Sequence, residues 1–277
     1  MNQPVNSPHC YFDANMSSGE LVDLGDATVS IFARRCPVKN GANEDAAAVI
    51  LVEPGKVVLA VADGAGGARG GEQASNLALR ELSSSVRDSN LSGNGLREAI
   101  LNGFERANEN IISMGIGAAT TLAVVSVEED GVRSYHAGDS AILIVGQKGS
   151  LKLQTTCHSP VGYALESGYL DEAEAMEHSE RHLVSNVVGS PTMKIELGPG
   201  IKLAPRDTLL LASDGLFDNL HLHEVVELVR KGSLAAATKS LAGDTLKSMQ
   251  APENGQPSKA DDLTFLLFRL KVPRGRK

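Results

Sequence analysis

Hydrophobic residues recur along this chain in two rhythms. Short runs that are apolar at nearly every position occupy residues 28–32, 46–52, 56–62, 121–127, 132–136, 141–145, 208–212 and 263–270. Their length and β-branched content predict strands, and their lack of a polar face predicts sheets covered on both sides. The second rhythm has a spacing of three and four. It links Leu96, Ile100, Phe104, Ala107 and Ile111, joins Ala74, Leu77, Ala78 and Leu82, and returns in Leu234, Ala237 and Leu241. Each set forms one face of a helix. Glu128-Glu129-Asp130-Gly131 and Gln147-Lys148-Gly149 separate neighbouring strand runs by only a few residues, which predicts hairpins and antiparallel sheets rather than repeated βαβ units. The pattern therefore describes an α+β sandwich of sheets with helices outside. Residues 1–25 lack sustained periodicity and read as a tail or edge segment. Residues 26–271 show no linker and read as one domain, and residues 272–277 as a basic tail.

Composition narrows the function. With 42% hydrophobic and 22% charged residues the 277-residue chain is ordinary globular protein, and its net charge of -8 argues against an extended surface for nucleic acid. No apolar run approaches the roughly 18–20 residues of a membrane span, and the first sixteen residues have neither a basic nor an apolar signal region. A cytoplasmic protein without a membrane partner is expected. Cys10, Cys36 and Cys157 are odd in number and far apart, and are expected to be reduced thiols.

The candidate chemistry lies where acidic residues meet strand ends. Asp63-Gly64 closes one apolar run and Asp214-Gly215 another, while Asn43-Glu44-Asp45 and Asp261-Asp262 each lead into one. Any one Asp-Gly pair is adequately explained as a turn. Four such stations on buried strands are not, because a turn does not require its Asp to terminate a strand. If the strands share one end of a sandwich, the carboxylates converge, and protonation or cations must relieve their repulsion. Oxygen ligands suit Mg²⁺ or Mn²⁺ rather than zinc, and a two-metal site for phosphoryl chemistry follows. The Gly-rich stretch from Asp63 to Gly71 fits neither nucleotide-loop template, since Arg69 and Glu72 stand where a glycine and a lysine are required. What its glycines offer is close backbone approach, including a Gly64 carbonyl able to reach a cation beside Asp63.

In order along residues 27–270, Asn43-Glu44-Asp45-Ala46, Val61-Ala62-Asp63-Gly64, Gly138-Asp139-Ser140, Ser213-Asp214-Gly215-Leu216-Phe217-Asp218 and Asp261-Asp262-Leu263-Thr264 resemble the motifs of the PP2C-type metal-dependent protein phosphatases. Residues 157–189 resemble that family's flap. The resemblance implies a four-layer αββα sandwich of two antiparallel sheets flanked by helices. It also implies two Mn²⁺ or Mg²⁺ ions between the sheets, with a third position seen in some members. Asp63 would bridge two metals, Gly64 would lend its carbonyl, Asp214 and Asp261 would hold one metal, and Glu44 and Asp45 would act on the other. Asp139, Asp214 and Asp218 would form the third position. The implied reaction is hydrolysis of phosphoserine or phosphothreonine by a metal-bridging hydroxide. The implied substrates are phosphorylated proteins, with a serine/threonine kinase as functional counterpart and a monomer as the working form.

Two positions depart from the family pattern. Its phosphate-binding Arg falls on Asn40, so Lys39 is the candidate for that role, with Arg34 and Arg35 as rivals; Ala65 stands where some members carry His. A lysine would bind phosphate as a point charge. These departures keep two alternatives in view, a non-catalytic phosphoprotein-binding member and a hydrolase of small phosphate compounds. His178 with His182, spaced to share a helix face, and His221 with His223 raise zinc, yet no Cys lies nearby in sequence and a surface role is expected. Ser140 and Ser213 lie in no nucleophile elbow and are expected to pack or hydrogen-bond.

Overall fold

Apolar runs without a polar face must be covered on both sides, and the computed structural model, which describes residues 8–65, 70–92, 95–251 and 257–272, shows how. The chain begins with β1 (His9–Tyr11), β2 (Glu20–Asp23), β3 (Ala27–Arg34), β4 (Asp45–Glu53) and β5 (Lys56–Ala65), then α1 (Gly71–Ser92) and α2 (Leu96–Ser113). Next come β6 (Ala119–Thr120), β7 (Leu122–Glu128), β8 (Gly131–Ala137), β9 (Ala141–Val145) and β10 (Leu151–Gln154), followed by α3 (Pro160–Glu166) and α4 (Glu172–Glu177). The remaining elements are β11 (Glu196–Leu197), β12 (Thr208–Ala212), α5 (Asp214–Phe217), α6 (Leu222–Val229), α7 (Leu234–Gln250) and β13 (Leu263–Leu270).

One sheet runs β1-β4-β5-β7-β8-β11, with β6 added to β5, and the other runs β10-β9-β12-β13-β3-β2; every pairing is antiparallel. Strand alternation sorts the side chains into three cores. Ala47, Val49, Val57, Leu59 and Val61 face the other sheet, where Leu209, Leu211, Leu266 and Phe268 meet them. Their neighbours Ala46, Ala48, Val58 and Ala60 face Leu79, Leu82, Ile100 and Phe104 of α1 and α2. On the far side Leu210, Phe265 and Leu267 pack on Val225 and Val229 of α6 and on Leu241 of α7. The layers are helix, sheet, sheet, helix. A fully buried aliphatic such as Leu59 contributes roughly 1.5–3 kcal/mol to holding them together.

Several details differ from the sequence reading. β5 does not stop before Asp63: Gly64 and Ala65 pair with Thr120 and Ala119, so Asp63 sits inside the strand. Within residues 8–25, β1 and β2 add to β4 and β3 as the edges of the two sheets. His178 is the extended residue that ends α4, so it shares no helix face with His182. Lys271, the last residue assigned to the domain, is tied to it through its N–H, which donates to the Asp26 carbonyl, and its ammonium, which reaches Asp23 at 2.6 Å. Residues 66–69 of the Gly-rich stretch, 252–256 of the loop before Asp261, and 273–277 lie outside the described residues. Among the described residues, no helix is long and apolar enough to cross a membrane.

Candidate metal centre

Strand parity places the first two carboxylates. Asp45 and Asp63 share parity with the residues that face the other sheet, and they are directly opposite each other in the β4–β5 register. Asp45 is 1% exposed. Its Oδ2 accepts a 2.7 Å hydrogen bond from Ser213 Oγ, and Ser213 Oγ in turn accepts from the Thr264 N–H. Ser213 thus ties the two sheets together. Ser213 and Ser140 are both buried and hydrogen-bonded, Ser140 to Thr121 Oγ1 at 2.6 Å, in keeping with packing and hydrogen-bonding roles. The backbone around Asp63 is fixed by Thr121, whose Oγ1 accepts from the Asp63 N–H at 3.0 Å while the Thr121 N–H donates to the Asp63 carbonyl at 2.8 Å.

The opposite sheet brings the rest. Asp214 follows β12 at the start of α5, Asp218 ends that short helix one turn later, and Asp261 precedes β13. Asp139 sits in the turn between β8 and β9, after Gly138, whose φ of 115 favours glycine. Burial first and then neighbouring negative charge push the carboxyls of Asp45, Asp63, Asp139, Asp214 and Asp261 up. Asp45 is raised further by Asp262, Asp63 by Asp45 and Asp214, and Asp261 by Asp214. Asp139 is pushed up to about 7 by burial and by Asp214. Such mutual elevation is the signature of a site organised to receive positive charge.

Glycine makes the close approaches possible. A Cβ on Gly64 would lie 2.2 Å from the Gly71 carbonyl oxygen, and one on Gly215 would lie 2.0 Å from that of Asp262. The same packing brings the Gly64 carbonyl oxygen and Glu44 Oε1 to 2.8 and 3.0 Å from the point a Cβ on Gly71 would take. Glu44 stands apart from the aspartates: its other carboxylate oxygen binds the Lys39 ammonium, which also lies 3.3 Å from Asp262. Asp262, 3% exposed, organises this corner by accepting from the Cys36 and Glu44 N–H groups at 2.7 Å each. Asn40 is exposed, and the Arg35 guanidinium donates to the Gly41 carbonyl at 2.7 Å.

Two features escaped the sequence reading. The first is Lys259, whose ammonium lies 2.8 Å from Asp214, 2.7 Å from Asp218 and 3.0 Å from Asp261. Burial alone would lower its pKa, but the three carboxylates outweigh that and raise it well above the usual lysine value. Its place two residues before Asp261 was a legible signal. The second is a group formed by His136, His158 and Glu196, with ligand-capable atoms within 4.8 Å of one another. His158 is occupied there: Nδ1 accepts from the Gly138 N–H at 3.1 Å, which leaves Nε2 to donate to Glu196 at 3.0 Å. The ring therefore braces the turn that carries Asp139. Among the described residues this is the one His-containing group with metal-like spacing, and it includes none of His178, His182, His221 or His223. Cys157, near this turn, is held as a thiol because burial and Asp139 push it up to about 12.

The sequence profile of the family described as protein phosphatase 2C matches residues 34–249. Protein phosphatase PhpP of Streptococcus pneumoniae is 30% identical over 209 residues, covering 72% of this chain and 83% of the relative. The serine/threonine phosphatase stp of Listeria monocytogenes is 28% identical over 197 residues, covering 68% and 77%. Among solved structures, the serine/threonine phosphatase of S. agalactiae superposes with a TM-score of 0.75 at 25% identity, covering 88% of this chain and all of that one. The fold is shared as well with the catalytic domain of the phosphatase PstP in complex with two manganese ions, at a TM-score of 0.66 and 22% identity over 89% and 99% of the two chains.

Proposed function

Because the chain belongs to the protein phosphatase 2C family and is a metal-dependent serine/threonine protein phosphatase, we propose that the carboxylates gathered around Asp63 and Asp214 are its catalytic centre. The observation that carries this reading is the registered pair Asp45 and Asp63 facing Asp214 and Asp261 from the other sheet. The donor set fits hard divalent cations, since it is all oxygen and burial together with the neighbouring carboxylates holds the pKa values of Asp45, Asp63 and Asp214 high. Asp63, Asp214 and Asp261 would hold one Mn²⁺ or Mg²⁺. Asp63, the Gly64 carbonyl, Glu44 and Asp45 would serve a second, directly or through water. Two such ions supply an acidified water for attack on phosphorus and positive charge for the phosphate oxygens.

The chain's own residues set the geometry. Ser213 orients Asp45, Thr121 fixes the strand at Asp63, and His158 holds the Asp139 turn. Lys39, held beside the cluster by Glu44 and Asp262, is the cation proposed to bind the substrate phosphate as a point charge. The residues proposed for the centre lie within a single chain, so a monomer would carry all of them. A chain that removes phosphate from serine and threonine needs a kinase that adds it, and the three free cysteines suit the cytoplasm.

The test is hydrolysis of p-nitrophenyl phosphate and a phosphothreonine peptide with and without Mn²⁺, by the wild type and Asp214→Asn. Turnover that needs Mn²⁺ and disappears in the variant is expected. Undiminished turnover by Asp214→Asn would overturn the assignment of the centre.

A further inference from the structure

Lys259 is an unusual residue to find among metal-binding carboxylates, because it already supplies them with a positive charge. Its ammonium touches one oxygen of each of Asp214, Asp218 and Asp261 at 2.7–3.0 Å, the point where the three side chains converge. A divalent cation at that point would need the same oxygens at about 2.0–2.6 Å, so the two occupants exclude each other.

The lysine is also built in rather than draped across the surface. The buried side chain of Asn219 clasps its backbone from both directions: the Lys259 N–H donates to Asn219 Oδ1 at 2.9 Å, and Asn219 Nδ2 donates to the Lys259 carbonyl at 2.8 Å. Asn219 Nδ2 also reaches the Gly215 carbonyl at 2.9 Å, which anchors the clasp to the helix that carries Asp214 and Asp218. Next to it, the Ser258 hydroxyl donates to the Ser248 carbonyl at the end of α7. A residue tethered at both main-chain atoms sacrifices little further entropy in holding its ammonium in place.

We propose that Lys259 is a tethered cation that permanently occupies the Asp214–Asp218 end of the cluster, so that this chain takes two exchangeable divalent ions and no third. The inference rests on the two-metal reading of the site. Asp214 and Asp261 each meet the lysine through Oδ2; their Oδ1 atoms, of which that of Asp261 also accepts the Asp262 N–H at 2.9 Å, keep lone pairs for an ion shared with Asp63. The lysine at the same time neutralises part of the charge that would otherwise draw an additional cation toward Asp139 and Asp218.

The test counts bound Mn²⁺ by equilibrium dialysis and by titration calorimetry on the full-length wild type, Lys259→Ala and Lys259→Arg. The expected result is two ions for the wild type, two for Lys259→Arg, and a third, weaker ion for Lys259→Ala. Lys259→Gln provides the same count should the alanine variant fail to fold. Three ions in the wild type, or two in a folded Lys259→Ala or Lys259→Gln, would overturn the inference while leaving the two-metal centre intact. A wild type that binds no divalent ion would defeat the reading of the centre itself, and the inference with it.

Discussion

Asp45 and Asp63 stand directly opposite each other on neighbouring antiparallel strands, with both side chains turned into the space between the two sheets. Like charges opposed across a ladder destabilise a sheet, so this pair is a local conflict in the fold maintained by its surroundings.

The first consequence is a dependence on pH in the absence of metal. Asp45, Asp63 and Asp139 have folded pKa values above the ordinary carboxylate value, so the folded state binds more protons than the unfolded state between the two. Their contribution is fully present in acid and is lost as pH rises, through about 7 in the case of Asp139. The urea midpoint of chelated protein, compared with Asp139→Asn, should fall more steeply between pH 4 and 7 in the wild type. Parallel profiles would show that Asp139 is not crowded in solution.

Replacing Asp63 or Asp214 by Asn should lower turnover by more than about 100-fold, beyond the 10–100-fold typical of changes one layer outside a metal. The chelated Asp63→Asn variant should melt no lower than the chelated wild type, because it loses a charge that Asp45 and Asp214 repel. Steady-state kinetics paired with thermal melts distinguishes this from simple unfolding.

Ser213→Ala should destabilise the protein by about 1–3 kcal/mol, the cost of leaving buried partners without their hydrogen bonds. Its hydroxyl serves both Asp45 and the Thr264 N–H, one on each sheet. Urea denaturation would measure the loss, and an unchanged midpoint would show that water replaces the hydroxyl at no cost.

Three glycines should respond differently to alanine. Gly64→Ala and Gly215→Ala place a methyl group against backbone oxygens and should cost about 1–3 kcal/mol or more, whereas Gly243→Ala, inside α7 with open space around it, should gain about 0.4–1 kcal/mol. Circular dichroism melts of the three variants, read side by side, check both signs.

Lys39→Met should reduce kcat/KM toward a phosphothreonine peptide by about 10–100-fold, as loss of a hydrogen bond to a charged group implies. Arg35→Ala should change it far less, since its guanidinium meets the Gly41 carbonyl whereas the Lys39 ammonium meets Glu44 and Asp262 at the cluster. Equal losses in the two variants would move the phosphate-binding role away from Lys39.

Much of the fold was legible because strand and helix rhythms are local. Runs apolar on both faces, such as 56–62, had to be covered on both sides, and the three helical stripes supplied the outer layers. The acidic stations were equally visible, because Asp at the end of a buried strand contradicts the pattern around it. Short elements such as β6 and β11 left no readable signal, since two residues carry no periodicity and form only when a neighbouring strand offers its edge.

Local pattern by itself determined the strands, the main helices and the aspartates that mark the site, because side-chain alternation and spacing require no knowledge of distant partners. Tertiary structure alone decided which residues meet. It set Asp45 opposite Asp63, joined the sheets through Ser213, turned Lys39 toward Glu44 and carried Lys259 to Asp214 across 45 residues of sequence. Register and loop path settle such contacts, and they are fixed by the packing of whole sheets rather than by any one segment.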